Sequence, residues 1–240
     1  MSEAAATLAW AATLGVIAGA AIPIGAALGR MRRILPRRIE ADLRHSVLAF
    51  GAGVLVAAVG LVLAPEGAAR LHPLATGLSF SAGALVFMAV DRALAKRRGS
   101  MAMFFAMLLD FLPEAVALGA LLAGDPDTAL LLAWLIFVQN LPEAFNAEQE
   151  LAHRFPRLRR MPLFAAVALL GPVATSLGQI ALAGQDALLG GLMLFAGGGI
   201  LYLMFQDIAP KVPLRLHWGP PLGAVFGFLL ALLGERLLSG

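Results

Sequence analysis

No cysteine occurs anywhere in the 240-residue chain. That excludes a disulfide framework and a thiolate metal site. Charge is scarce too: 14% of the residues are Asp, Glu, Lys or Arg, against about 25% in a soluble globular domain. With 60% of the residues hydrophobic, the chain falls in the membrane class. Histidine is missing from the interior of the apolar runs; His45, His72, His153 and His217 fall at run ends or between runs. No His-Glu-x-x-His pattern is present, which argues against a membrane-embedded metalloprotease and against an enzyme generally. The formal net charge of +3 does not point to nucleic acid, because the basic residues sit in short connections rather than on a soluble face. The N-terminus lacks a basic n-region and a convincing cleavage site, so the first run reads as a retained helix. No soluble domain or linker fits, and a single transmembrane domain is expected over residues 1–240.

What the chain does have is apolar runs. Eight are long enough to cross a bilayer, approximately 5–29, 46–64, 74–91, 101–123, 128–150, 162–184, 187–209 and 219–238, a span needing about 20 residues. Sixteen of the eighteen basic residues lie in alternate connections: Arg30, Arg32, Arg33, Arg37, Arg38 and Arg44 in the first; Arg92, Lys96, Arg97 and Arg98 in the third; Arg154, Arg157, Arg159 and Arg160 in the fifth; Lys211 and Arg215 in the seventh. Arg70 and Arg236 are on the other side, with Glu66, Asp125, Asp127 and Asp186. Cytoplasmic connections carry the excess of Lys and Arg. The expected fold is therefore all-α and integral to the membrane, with eight transmembrane helices and both termini outside the cytoplasm. A bacterial-type inner (plasma) membrane suits it.

Two matched stretches stand out, Asp110-Phe111-Leu112-Pro113-Glu114-Ala115 and Gln139-Asn140-Leu141-Pro142-Glu143-Ala144, 29 residues apart in the fourth and fifth runs. An ionisable side chain mid-span costs roughly 2.5–3.5 kcal/mol on insertion scales. A proline there removes a helix hydrogen bond and frees the carbonyl four residues earlier, those of Leu109 and Val138. Asp110/Glu114 and Gln139/Glu143 are spaced i, i+4 and share a helix face. With the two runs antiparallel, Asp110 is level with Glu143 and Glu114 with Gln139, as in inverted helices around a midplane site. Asp110, Glu114, Gln139 and Glu143 are the candidate metal ligands. Asn146 and Glu150 continue the Gln139/Glu143 face toward the cytoplasm; Glu148 lies off it. Glu148 reads as capping a snorkelling end beside the arginines, and Glu150 either as such a cap or as a step in an exit path.

The remaining polar residues read more blandly. Gly15, Gly19, Gly25 and Gly29 form small-xxx-small pairs suited to helix packing, and Pro23 should kink the first helix. Asp91 and Arg92 read as a solvated helix end. The sixth run carries Thr175, Ser176 and Gln179 but no acid, and the seventh carries Gly197-Gly198-Gly199, Tyr202 and Gln206-Asp207-Ile208-Ala209-Pro210. Asp207 is four residues before Lys211 and suits an interfacial pair with it.

These residues resemble the ZIP (Zrt-, Irt-like protein) divalent-metal transporters along the whole chain. The resemblance lies in Pro-Glu-Ala in the middle of the fourth and fifth of eight helices, in Leu48-Ala49-Phe50-Gly51-Ala52-Gly53-Val54-Leu55 followed by Ala64-Pro65-Glu66, and in Gly199 through Pro210. It implies a ZIP-like bundle with Pro-kinked fourth and fifth helices at its core, a homodimer, and an elevator-like sliding of one helix bundle against a scaffold. Asn140, Asn146, Glu150, Gln206 and Asp207 are then candidate pathway residues. The chain also departs from the family pattern. Asp110 stands where the family has histidine, Phe111 where it has asparagine, Asn140 where it has an acid, and Ala174 where the sixth helix supplies one. One position of the family's two-metal centre survives, and the other looks dismantled.

The expected function is transport of a divalent cation, with the metal as cargo and no cofactor. Oxygen ligands suit Mg²⁺, Mn²⁺, Ca²⁺ and to a degree Fe²⁺, while Zn²⁺ also accepts carboxylates. The acids could not all ionise together without metal or protons to balance them. The alternative is a ZIP relative that has lost metal transport and carries another solute or serves as a non-transporting partner. The topology is open to direct test. A cysteine introduced at Asp125 should label from outside intact cells and one at Arg157 should not; reversed labelling would sink the orientation.

Overall fold

The computed structural model describes residues 3–30, 37–98, 101–152, 154–212 and 218–238. Its helices are α1 (Glu3–Arg30), α2 (Arg37–Ala57), α3 (Ala64–Ala69), α4 (Pro73–Arg98), α5 (Ala102–Leu121), α6 (Pro126–Leu151), α7 (Arg157–Ala181), α8 (Asp186–Leu203) and α9 (Gly219–Leu238). A π-helical turn, Ala58–Leu63, joins α2 to α3, and a second, Met204–Ile208, continues α8 into a short 3₁₀ turn, Ala209–Lys211. There is no strand among the described residues. Eight helical spans are long and apolar enough to cross a membrane, the mark of a multi-pass membrane protein. In lipid a backbone must satisfy itself, so the apolar runs are helical throughout.

Helices outrun the apolar runs where arginine and lysine follow. The third run, expected to end near residue 91, continues to Arg98, and the second span's helix begins at Arg37. Both are good helix formers, so apolarity alone stops short of the helix end. At the opposite end α6 starts sharply: the Asp125 side chain accepts from Thr128 N at 3.1 Å, with Pro126 as the first helical residue.

Packing sorts the helices into two groups. In one, α1 lies against α6 and α7, and α5 against the same two helices. In the other, α2 pairs with α9, and α8 with α3 and α4. The groups meet chiefly where α2 crosses α6 and α5 meets α8. α5 and α6 are the most buried spans, while α4 and α9 turn most of their surface outward. Glycines set the close approaches, and they act reciprocally. A Cβ on Gly53 would strike the Ala224 carbonyl and one on Gly227 that of Phe50; Gly83 faces the carbonyl of Phe195 and Gly198 that of Phe80; Gly119 faces Thr175 and Gly178 faces Val116. On α1, Gly15 and Gly19 face α7, and Gly25 and Gly29 face α6. All four serve packing.

The pairings carry an inverted two-fold pattern. α1 lies beside α6 as α7 lies beside α5, and α2 beside α9 as α8 lies beside α4. Exchanging the first three spans for the last three, and α5 for α6, maps one set of pairs onto the other. Successive spans alternate in direction, so the two halves run in opposite senses, the arrangement of an inverted repeat. The π turns obey the same exchange. Each lies in the later half of the second span of its set, and each precedes an Ala-Pro step, Ala64-Pro65 and Ala209-Pro210.

Glycine at the crossings is therefore a stability requirement. Gly119→Leu must push α5 off α7 and should cost about 3 kcal/mol or more, overpacking plus separation. Gly77→Leu, where a Cβ meets open space, should stay within ~0.5 kcal/mol. Thermal unfolding in detergent checks the pair, and equal stabilities would refute the packing account.

A candidate cation site between α5 and α6

Pro113 and Pro142 lie inside continuous helices, and α5 and α6 pass each other antiparallel. Asp110, Glu114, Gln139, Asn140 and Glu143 are all buried, with at most 4% of their surface exposed. Gln139 Nε2 donates a short hydrogen bond to Glu114 Oε2. Across the same interface the Asp110 and Glu143 carboxyl groups lie within hydrogen-bonding reach of each other. Neither brings a donor when ionised. Asp110 Oδ1 turns back on its own chain and accepts from Phe111 N at 2.8 Å.

Within this set of five side chains, five buried acceptors have no donor in the protein, Glu114 Oε1, Gln139 Oε1, Asn140 Oδ1 and both oxygens of Glu143, and one buried donor, Asn140 Nδ2, has no acceptor. Buried polar groups are normally paired, and each orphan carries a desolvation cost of about 1–3 kcal/mol. This surplus is one-sided. A proton or a cation would satisfy it. The three carboxylates are within electrostatic reach of one another, yet among the described residues no three acids or histidines close on a common point as a finished metal shell. The reason is visible: Asp110 is held by its own backbone and Glu114 by Gln139.

Beside this set the other expected position is apolar. Phe111 is fully buried, its ring 3.2 Å from where a Cβ on Gly171 of α7 would stand. Ala174 is buried as well. Its neighbour Thr175 spends its hydroxyl on the helix, donating to the Gly171 and Pro172 carbonyls at 3.1 and 3.2 Å. Neither described histidine is part of the site: His45 and His72 lie elsewhere, in α2 and the α3–α4 turn, and His153 and His217 are outside the described residues.

The stripe toward the arginine-rich end resolves into separate roles. Asn146 Nδ2 donates to the Pro142 carbonyl at 2.7 Å. Beyond it, Asn146 and Glu150 line a chamber of about 190 Å³ with Arg44, Leu48, Met103 and Lys211. Glu150 is a cap: its carboxylate accepts from Ala102 N and Met103 N, both at 3.0 Å, at the start of α5, with Lys211 Nζ 3.9 Å away. Lys211, expected beside Asp207, thus reaches Glu150. Asp207 is buried in the second π turn, and Gln206 beside it is exposed.

Two expectations are corrected. Glu148 does not cap a snorkelling end; it is buried, with Arg30 Nε at 3.0 Å and Arg160 Nη1 at 3.2 Å, joining α1, α6 and α7. Gly29 leaves room for it, a Cβ there standing 3.4 Å from the Glu148 side chain. Asp91 is not a solvated end either; it is buried and accepts from the Tyr202 hydroxyl at 3.2 Å. A charge close to a run end reads as interfacial from sequence, and only a facing helix shows otherwise. No family model matches the chain, and no curated protein matches it.

Glu148 and Glu150, near the arginine-rich end of α6, should behave differently from surface acids. Glu148→Gln leaves two arginines without their counter-ion and should cost about 3 kcal/mol or more, while Glu150→Ala removes a helix cap and should cost about 1 kcal/mol. Unfolding of the purified protein measures both; a neutral Glu148→Gln would contradict the buried ion-pair cluster.

Proposed function

We propose that the protein carries a divalent metal cation across the membrane as a divergent ZIP-like transporter, using one oxygen-rich site built from Asp110, Glu114, Gln139 and Glu143. The observation that supports this is the surplus of donor-less oxygens on two facing, proline-bearing helices. A divalent ion is the ligand whose chemistry matches it. Binding requires Asp110 to leave its backbone donor and Glu114 to turn its free oxygen inward, both rotamer-scale changes. Oxygen-only ligation favours Mg²⁺, Mn²⁺ or Fe²⁺ over metals that prefer imidazole or thiolate, with Zn²⁺ still compatible.

One ion per protomer follows from the neighbourhood. A second ion would rest on Glu114 and Glu143 alone, because Phe111, Asn140 and Ala174 bring no carboxylate. Two unit charges ~4 Å apart repel by about 4 kcal/mol at an effective dielectric near 20, and two divalent ions by four times that. The resemblance to ZIP proteins carries the further proposals of a homodimer, of termini outside the cytoplasm of a bacterial-type inner membrane, and of sliding between bundle and scaffold. The division of the helices into two packing groups is consistent with such sliding. A second reading, a relative that no longer moves metal, draws on the absence of a converged ligand shell.

Calorimetry with Mn²⁺ and Zn²⁺ separates the two. Transport predicts one ion per protomer, lost in Asp110→Ala and shifted toward Zn²⁺ in Asp110→His. Glu114→Gln and Glu143→Gln should each weaken binding tenfold or more, about 1.4 kcal/mol, with a smaller effect for Asn140→Ala. No heat with either metal, and no metal uptake by proteoliposomes, favours the non-transporting relative.

A further inference from the structure

The contacts of Glu148 with Arg30 and Arg160, of Asp91 with Tyr202 and of Glu114 with Gln139 each stay within one helix group. The Lys211–Glu150 pair instead crosses between the groups. Lys211 Nζ, on the 3₁₀ turn that follows α8, lies 3.9 Å from Glu150 Oε2 of α6. The chamber of about 190 Å³ beside them sits on the same seam. Arg44 and Leu48 of α2 and Lys211 wall it from one group, and Met103 of α5 with Asn146 and Glu150 of α6 from the other. It is also the next space beyond the candidate cation site, because Asn146, three residues past Glu143, donates to the Pro142 carbonyl.

We propose that Lys211 is the latch of a gate at this chamber: its ammonium on Glu150 holds the seam shut, and its release opens the chamber to water and ions. That the gated ion is a metal cargo rests on the transport reading; the latch itself does not. The two partners are unequal in freedom. Two backbone N–H groups of α5 fix the Glu150 carboxylate, while the Lys211 side chain is 40% exposed and can swing to water on its flexible stem. A pair this long and this exposed adds little to stability, which suits a contact that opens and shuts. With Arg44 and Lys211 both on its walls, the shut chamber repels a cation; withdrawing Lys211 leaves the Glu150 carboxylate to receive one. The inverted exchange shows that the contact is not part of the scaffold. The matched stretches put Leu121 of α5 where Glu150 stands on α6, and the two Ala-Pro steps put Glu66 where Lys211 stands. Leu121 is buried and apolar, and Glu66 is paired with Arg70. A contact required by the architecture would recur at both ends, and this one has no counterpart at the other.

The chain has no cysteine of its own, so one introduced thiol reports the gate. Leu48→Cys, buried in the chamber wall, is labelled with N-ethylmaleimide in the purified full chain in detergent; Met103→Cys gives the same comparison from the opposite wall should the first variant not fold. Adding Lys211→Met should speed labelling about threefold or more, the shift that loss of a weak ion pair allows, with the thermal transition unchanged. Lys211→Arg, which keeps the charge, should label as the lysine does. The reagent is uncharged, and loss of a neighbouring ammonium lowers the thiolate fraction, so electrostatics alone would slow the reaction. Leu121→Cys, buried at the opposite end, should label at one rate with either residue at 211. No acceleration at the chamber thiol overturns the latch. So does equal acceleration at Leu121→Cys, which would mean general loosening. Acceleration confined to the chamber, with no Mn²⁺ uptake by wild-type proteoliposomes, upholds the latch and counts against the transport reading alone.

Discussion

Carboxylates held in an apolar membrane interior with fewer donors than oxygens are the constraint on which the rest of this structure depends. Glu114 and Glu143 are sealed between α5 and α6, where Gln139 serves one oxygen of Glu114 and no arginine or lysine among the described residues meets either acid. A helix pair with this content is tolerable only if it is walled in tightly and if positive charge can reach it. The walls are the reciprocal glycine crossings, which bring α1 and α7 against α6 and α5 at backbone contact. The prolines keep ordinary hydrogen bonding incomplete at the same level. Close packing and an unfinished polar centre are two sides of one arrangement.

The same helix α6 shows the contrast a few residues on. Glu148 is as buried as Glu143, yet two arginines meet it, and Glu150 meets two backbone N–H groups and a lysine. Paired acids of this kind hold helices together. Over roughly two turns, α6 passes from an acid whose partner is missing to acids whose partners come from α1, α7 and the start of α5. Glu143, with neither oxygen met by a donor of the protein, is the candidate for a cation.

Much of this was legible in the sequence. A charge deep in an apolar run has few alternatives to a facing polar partner, and the i, i+4 spacing with antiparallel runs placed Asp110 opposite Glu143 and Gln139 opposite Glu114. Distance from a run end misled at Glu148 and Asp91, because their partners, Arg30, Arg160 and Tyr202, lie on helices remote in sequence. Glu150 was ambiguous for the same reason: its partner is the backbone start of α5, 48 residues earlier. The π turns had no compositional mark beyond a following proline, and the two packing groups are a property of which glycines face each other, which spacing within one helix does not reveal.

The most direct test is an anomalous-scattering map from crystals grown with Mn²⁺. A single midplane site between α5 and α6 requires one strong peak per protomer within bonding distance of Asp110, Glu114, Gln139 and Glu143. A map with two well-occupied peaks at this centre, or with none there while manganese binds elsewhere, would contradict it.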